Sequence, residues 1–218
     1  MVAIHKPSGL LVHRSRIAAA ESRSAMTELR DQIGQWVYPV HRLDRSASGV
    51  LIFALSPESA SRLAEQFRQH QVRKTYLAVV RGWPEEQGTV DKALRADDES
   101  EYVPAVSHYR VLSRSEIPVA TGRYPTSRLA LVRVSTDTGR MHQVRKHLHS
   151  ISHPILGDSI HGDGRYNRFL REHFGVNRLM LLGETVELDH PGTGERLRIV
   201  TRPEEEFGRV CGGPLPIP

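Results

Sequence analysis

Residues 37–67 constrain the fold most, because four local signals follow one another there without a break. VYPV (37–40) is a short apolar run and HRLDRSASG (41–49) is a polar segment closed by glycine. VLIFAL (50–55) is a continuous apolar run of the kind a fully buried strand requires. Ser56 has the side chain of a helix N-cap, and Pro57 suits the first helical position. Ala60, Leu63, Ala64 and Phe67 then recur at the spacing of one helix face. The pattern predicts strand, loop, buried strand and capped helix, with the polar loop held at both ends by apolar strands.

The remaining segments extend this unit. Short strands are predicted at 2–5 and 10–13, on either side of the turn Lys6-Pro7-Ser8-Gly9. Met26, Leu29, Ile33 and Trp36 predict a helix over 25–36. RKTYLAVVRG (73–82) reads as a strand ended by Gly82, and further strands are predicted at 88–94, 105–114 and 128–135, with DDESE (97–101) as an exposed loop. Thr138-Gly139 turns the chain into a helix over 140–151, and HPILGD (153–158) is a turn segment. A short helix over 165–174 is stopped by Gly175, and strands at 179–182, 185–188 and 196–200 close the chain. Many strands joined by short turns, with a few inserted helices, predict an α+β protein on a mostly antiparallel sheet.

Composition narrows the function classes. At 218 residues the chain suits one large domain or two small ones. No apolar run approaches the roughly 20 residues of a membrane span, and MVAIHKPSG carries no signal-peptide apolar region. A single cysteine, Cys211, excludes an internal disulfide framework and fits a reducing cytoplasm. Thirty basic residues against 25 acidic ones leave a net charge of +5. The cations cluster at 62–81 (Arg62, Arg68, Arg73, Lys74, Arg81) and 140–149 (Arg140, Arg145, Lys146), and the acids at 97–101 and 204–206. Segregated signs predict one basic face, with nucleic acid as the leading partner class.

Asp44 stands in the polar loop beside His41, Arg42 and Arg45. Neighbouring cations favour its ionised form. A fixed carboxylate can serve as nucleophile, general base or cation partner, and it can equally be a surface acid paired with an adjacent arginine. On the 140–151 helix, Met141, Val144, Leu148 and Ile151 form the apolar stripe, with Arg145 beside it. An inward arginine requires an anion, for which Asp44 is a candidate; the alternative is that Arg145 reaches solvent along its stem. Tyr76 shares a strand face with Ala78 and Val80 and reads either as a ring that stacks on an extruded base or as a core tyrosine. His142, His147 and His149 do not share one helix face, and neither HExxH nor CxxC occurs, so no metal site is expected; the histidines are assigned to phosphate or solvent. With no GxGxxG or GxxxxGK[ST], no nucleotide cofactor is expected.

HRLDRSASG (41–49), RKTYLAVVRG (73–82), TGRMHQVRKHL (138–148) and HPILGD (153–158) stand in the order and context of the RluA-type pseudouridine synthases, which the chain resembles from about His5 to Val200. HKPSGLLVHRS (5–15), PVATGRYPT (118–126) and GDSIHGDGRYNR (157–168) further resemble the branch of that family acting on tRNA. The resemblance implies the pseudouridine synthase fold: a bent, mostly antiparallel sheet with flanking helices and a central RNA-binding cleft. It implies one catalytic domain over 1–218, without the N-terminal S4-type domain some relatives carry. It implies Asp44 as the catalytic aspartate, Tyr76 as the residue stacking on the target base and assisting proton removal from C5, Arg145 as the cation paired with Asp44, and Arg42 as the side chain filling the space of the flipped uridine. His41, Arg45, Arg62, Arg68, Arg73, Lys74, Arg140, His142 and Lys146 are the remaining candidates for RNA contact.

Such an isomerisation needs no metal, nicotinamide or ATP. The expected partner is RNA, above all tRNA, for a cytoplasmic monomer with no membrane and no obligate protein partner. Ala47 stands where the family usually has threonine, and Leu182-Gly183 where it has His-Ala. The chain begins almost at HKPSG, so either a truncated start or a shorter sheet edge is expected. The rival readings are a ribosomal RNA synthase of the same family, a non-catalytic RNA-binding protein on this fold, and a histidine-metal hydrolase.

Overall fold

The computed structural model describes residues 1–13, 23–95 and 100–212, so part of the DDESE loop lies outside the described residues. In chain order the elements are β1 (Val2–Lys6), α1 (Ala25–Ile33), β2 (Tyr38–Pro39), β3 (Ser48–Ala54), α2 (Pro57–Arg68), β4 (Arg73–Arg81), β5 (Gln87–Asp91), β6 (Val106–Ile117), β7 (Ser127–Thr136), α3 (Gln143–Ser150), α4 (Gly164–Phe174), β8 (Leu181–Asp189), β9 (Arg196–Val200) and α5 (Glu205–Cys211). They divide into two units, Met1–Lys74 with Gly183–Thr201, and Thr75–Leu182 with Arg202–Pro218.

In the first unit the strand order is β1–β3–β8, with β2 also paired to β3 and β9 to β8. The β1–β3, β2–β3 and β8–β9 registers are antiparallel. Every residue of β3 is buried, as the apolar run Val50–Ala54 within it requires. Val50, Ile52 and Ala54 project from one face onto Leu63 of α2 and onto Val186 and Leu188 of β8. Leu63 is wholly enclosed, a burial that contributes roughly 1.5–3 kcal/mol. Ser56 caps α2, its hydroxyl accepting from the Ser59 N–H at 3.2 Å, with Pro57 first in the helix.

Two expectations fail in this unit. Residues 10–13 are not a strand. Their carbonyls turn to α1 instead, where Leu11 O and Val12 O accept from the Ala25 and Met26 N–H groups at 2.8 and 3.0 Å, satisfying amides a helix start leaves without partners. Helix α1 also ends before Trp36. Gly34 takes the left-handed conformation at φ 69° and stops it, leaving Trp36 54% exposed beside Arg30.

The strands expected at 179–182 and 185–188 are one strand, β8, running through Gly183. Here glycine allows close approach rather than a break. Gly49 sits at φ +126°, and a Cβ built on it would lie 2.3 Å from the Gly183 carbonyl oxygen. Two backbones meet where side chains would separate them, so the final glycine of HRLDRSASG and the departure at Gly183 belong to one contact.

In the second unit the order is β4–β7–β6–β5, antiparallel throughout, with a bulge between Val111 and Ser113. Leu77–Val80 of β4 are fully buried. HPILGD runs alongside that strand: the Arg81 N–H donates to Pro154 O, the Leu156 N–H to Val79 O and the Met180 N–H to Leu156 O, at 2.9–3.0 Å. What reads as a turn in sequence is therefore a short bridging segment. Helix α5 carries no expectation from sequence; it buries Phe207 and Val210, and Glu204 before it pairs with Arg178 at 2.9 Å.

Candidate active site

The Asp44 loop is fixed by the turn that follows β1. Lys6 is wholly buried, and its ammonium donates to Pro7 O and Leu10 O at 2.8 Å and to Arg45 O at 3.2 Å. The Gly9 N–H donates to Arg45 O at 2.8 Å, the Arg45 Nε to Gly9 O at 3.0 Å and the Ser8 hydroxyl to Ser46 O at 2.6 Å. Within the loop the Ala47 N–H donates to Asp44 O at 3.1 Å, so the turn closes without the threonine usual there. Leu43 is buried, Asp44 half-buried, and Arg42 and Arg45 exposed. The HKPSG turn thus grips the carbonyls of the two residues after Asp44, through the Lys6 and Ser8 side chains and the Gly9 N–H, which fixes the direction of the carboxylate-bearing backbone.

His41 supports the loop from below. Its Nε2 accepts from the Ile52 N–H at 3.0 Å, and its ring stacks on Phe67 at 5.0 Å. Burial first, and the Lys74 charge second, push its pKa down to about 3. The ring is therefore neutral with its proton on Nδ1, and its contribution to a phosphate would be a hydrogen bond rather than a charge. Burial also lowers the Lys74 pKa, while Arg73 stays exposed.

In the second unit Tyr76 is half-buried on β4, opposite Val134 of β7. Arg145 is buried on α3, and within this unit its anion is Asp158. Nε donates to Oδ2 at 2.7 Å and Nη2 to Oδ1 at 2.8 Å, with the two side chains 4% and 1% exposed. Asp158 Oδ1 also accepts from the Ile160 and His161 N–H groups at 2.9 and 3.0 Å. Burial alone would raise this carboxyl; the Arg145 fork and the two amides override it and hold it down at about 2. Asn167 completes the support, donating to Asp158 O and accepting from the Gly157 N–H, both at 2.8 Å.

Helix α3 is anchored in the same detail. Gln143 accepts from the Thr138 hydroxyl and the Arg140 N–H, and donates to Val106 O. His142 enters the helix at φ 54°, its Nδ1 3.1 Å from His161 Nε2. His147 departs from its assignment to phosphate or solvent. It is buried, donates from Nε2 to Lys92 O at 3.0 Å and accepts at Nδ1 from the Ser107 hydroxyl at 2.8 Å; Ser107 on β6 gives it a partner that helical spacing could not reveal. Met141, expected in the apolar stripe, is 41% exposed because α3 begins after it.

The sequence candidates thus fall into two sets. Asp44, His41, Arg42, Arg45, Arg73 and Lys74 belong to the first unit, and Tyr76, Arg140, His142, Arg145 and Lys146 to the second. Arg62 and Arg68 make local ion pairs with Glu58 and Glu65 on α2, exposed contacts weak enough to exchange for a phosphate. The Arg140 guanidinium donates to Pro104 O and the Lys146 ammonium to Arg95 O. Two residues essential to this arrangement escape sequence reasoning, Lys6 and Asp158, although each lies in a segment that carried the resemblance. Among the described residues no three His, Cys, Asp or Glu side chains cluster as metal ligands, and no helix is long and apolar enough to cross a membrane.

The family profile described as RNA pseudouridylate synthase matches residues 1–150. The tRNA pseudouridine synthase C of Yersinia pestis is 50% identical over 217 residues, covering 95% of this chain and 84% of that protein. The tRNA pseudouridine synthase C of Vibrio cholerae is 46% identical over 209 residues, covering 91% and 86%. Among solved structures, human RNA Pseudouridylate Synthase Domain Containing 4 superposes with a TM-score of 0.70 at 26% identity, covering 95% of this chain and 87% of that one.

Proposed function

The chain belongs to the RNA pseudouridylate synthase family, and from that premise we propose that it isomerises a uridine of tRNA to pseudouridine with Asp44 as the catalytic carboxylate. The reaction breaks the N1–C1′ glycosidic bond, turns the base and joins C5 to C1′. C5 loses a proton and N1 gains one, so no electrons and no atoms are exchanged with a cofactor. What it demands is a group that holds the sugar fragment while the base rotates. A carboxylate meets the demand in either of two ways: by removing a sugar proton and returning it, or by bonding to C1′ or C6 and departing.

Tyr76 stacks on the extruded base and assists removal of the C5 proton, and Arg42 occupies the gap left in the RNA. Extrusion costs a few kcal/mol, which stacking of about 1–3 kcal/mol per base offsets. Arg145 is the cation that serves Asp44. Its Nε–Nη2 edge is committed to Asp158, so the guanidinium cannot turn, and the edge it presents to a second carboxylate is set in advance. Both units act as one catalytic domain on tRNA, as a monomer in the cytoplasm.

The observation that carries the reading is the grip of the HKPSG turn on the carbonyls of the two residues after Asp44, because it fixes the backbone that bears this half-buried carboxylate. Pseudouridine mapping of tRNA and ribosomal RNA pools after incubation with the wild type and with Asp44→Asn tests it. The expected result is one modified tRNA uridine with the wild type and none with the variant, with tRNA affinity within about twofold. Modification that persists in Asp44→Asn removes the assignment, and modification confined to ribosomal RNA removes the substrate.

A further inference from the structure

PVATGRYPT (118–126) and GDSIHGDGRYNR (157–168) are far apart in sequence, and the structure packs them together. Residues 119–122 and the outer face of α4 line a groove of about 440 Å3, floored by Phe169 and flanked by Arg165 and Arg168. The fit is close. Gly122 lies at φ +70°, and a Cβ on it would come within 2.8 Å of the Arg165 guanidinium. The only acid in the lining is Glu172, which makes no ion pair with Arg168 among the described residues.

Arg168 and Arg171 have guanidinium groups without a hydrogen bond or ion pair among the described residues, and Arg165 has only a loose 3.6 Å approach to Asp163. Residues three apart on a helix bring their Cβ atoms within about 5–6 Å, so Arg165, Arg168 and Arg171 form one cationic row. Beyond Gly122, Tyr124 is 56% exposed with the Arg123 guanidinium 5.1 Å over its ring. A row of cations beside an exposed aromatic face matches RNA, whose phosphates take the arginines and whose unpaired bases stack.

We infer that this groove is a second RNA-contact surface, through which Arg165 and Arg168 hold the tRNA backbone at a point remote from the target uridine; the inference rests on tRNA being the substrate. Remoteness follows from β4. Asp163, the N-cap of α4, pairs with Arg81 at 2.6 Å, and Arg81 is five residues along the strand from Tyr76, a span of roughly 16 Å. A nucleotide held in the groove is thus not the one stacked on Tyr76, and the contact selects tRNA by shape rather than by the reacting base.

The test is tRNA binding by fluorescence anisotropy across a salt series, with turnover measured in parallel. Two lost phosphate contacts should flatten the slope of log affinity against log salt by about 1.4–1.8 in the Arg165→Gln/Arg168→Gln variant. KM for tRNA should rise about tenfold, with kcat within twofold. The Arg165→Lys/Arg168→Lys variant should keep the wild-type slope. Glu172→Gln, which leaves both arginines in place, should bind tRNA more tightly. An unchanged slope in the glutamine variant, looser binding by Glu172→Gln, or a loss confined to kcat would overturn the inference. Binding is read without turnover, so a wild type that binds tRNA but forms no pseudouridine defeats the function proposed above and leaves this surface standing.

Discussion

Replacing Lys6 by methionine separates two opposite expectations for a buried charge. If the ammonium is only a desolvation burden, an apolar residue of similar length should leave stability unchanged or improve it. The structure predicts the reverse. Three carbonyls, Pro7 O, Leu10 O and Arg45 O, converge on Nζ. Arg45 O keeps the Gly9 N–H after the substitution, whereas Pro7 O and Leu10 O lose this donor. Hydrogen bonds to a charged group contribute about 1.5–3 kcal/mol each. Allowing for the relieved desolvation and for water reaching the turn, Lys6→Met should cost about 2–4 kcal/mol, a fall in Tm of roughly 5–15 °C for a chain of this length. The same loss frees the main chain after Asp44. A misplacement of about 1 Å at a reacting group can cost 100-fold in rate, so kcat should drop by one to two orders of magnitude while KM for tRNA moves little. Urea denaturation followed by circular dichroism gives the first quantity, and tritium release from C5-labelled uridine in tRNA gives the second. A Lys6→Met protein as stable and as fast as the wild type would refute the view that this ammonium aims the loop.

Two further outcomes follow from the buried charges. Asp158→Asn strips Arg145 of its counter-charge, and breaking such a pair should cost about 3 kcal/mol or more in thermal denaturation, with kcat falling as Arg145 loses its orientation. The Asp158 pKa is depressed to about 2 from its ordinary 3.8, so its contribution, about 2 kcal/mol, is present above pH 4 and lost as pH falls toward 2; this part of the acid limb should be missing from the variant. His41 is likewise depressed, to about 3 from 6.5. Between those values the unfolded chain binds the proton the folded chain refuses, so stability should decline as pH falls from about 6.5 to 3. His41→Gln, whose amide oxygen can still accept from the Ile52 N–H, should flatten that decline when unfolding free energy is measured at several pH values.

Much of the fold is legible in local chemistry. The buried strand Ser48–Ala54, the Ser56–Pro57 helix start and the stop at Gly175 depend on residues a few positions apart, and each forms where the pattern places it. Two of the misreadings share one cause, that the deciding partner is distant. Residues 10–13 have strand-like composition, but the Leu11 and Val12 carbonyls are taken by the start of α1 and the Leu10 carbonyl by Lys6. The two glycines that let β3 and β8 approach are more than 130 positions apart, so Gly183 reads as an interruption until Gly49 is set against it.

The sequence by itself determined the family and the chemistry, and it singled out Asp44 as the candidate to carry that chemistry, because HRLDRSASG and its companion segments are local and ordered. Tertiary structure alone decided what holds those residues. Lys6 reads as a surface lysine in a polar turn, yet it is sealed beneath the loop after Asp44. Arg145 reads as a cation in search of an acid, yet the acid in its own unit is Asp158, fixed by a segment bridged to β4. The physical reason is that a charge can be buried only where several oxygens or amides from separate parts of the chain converge on it, and convergence is a property of the fold, with no periodicity along the chain to announce it.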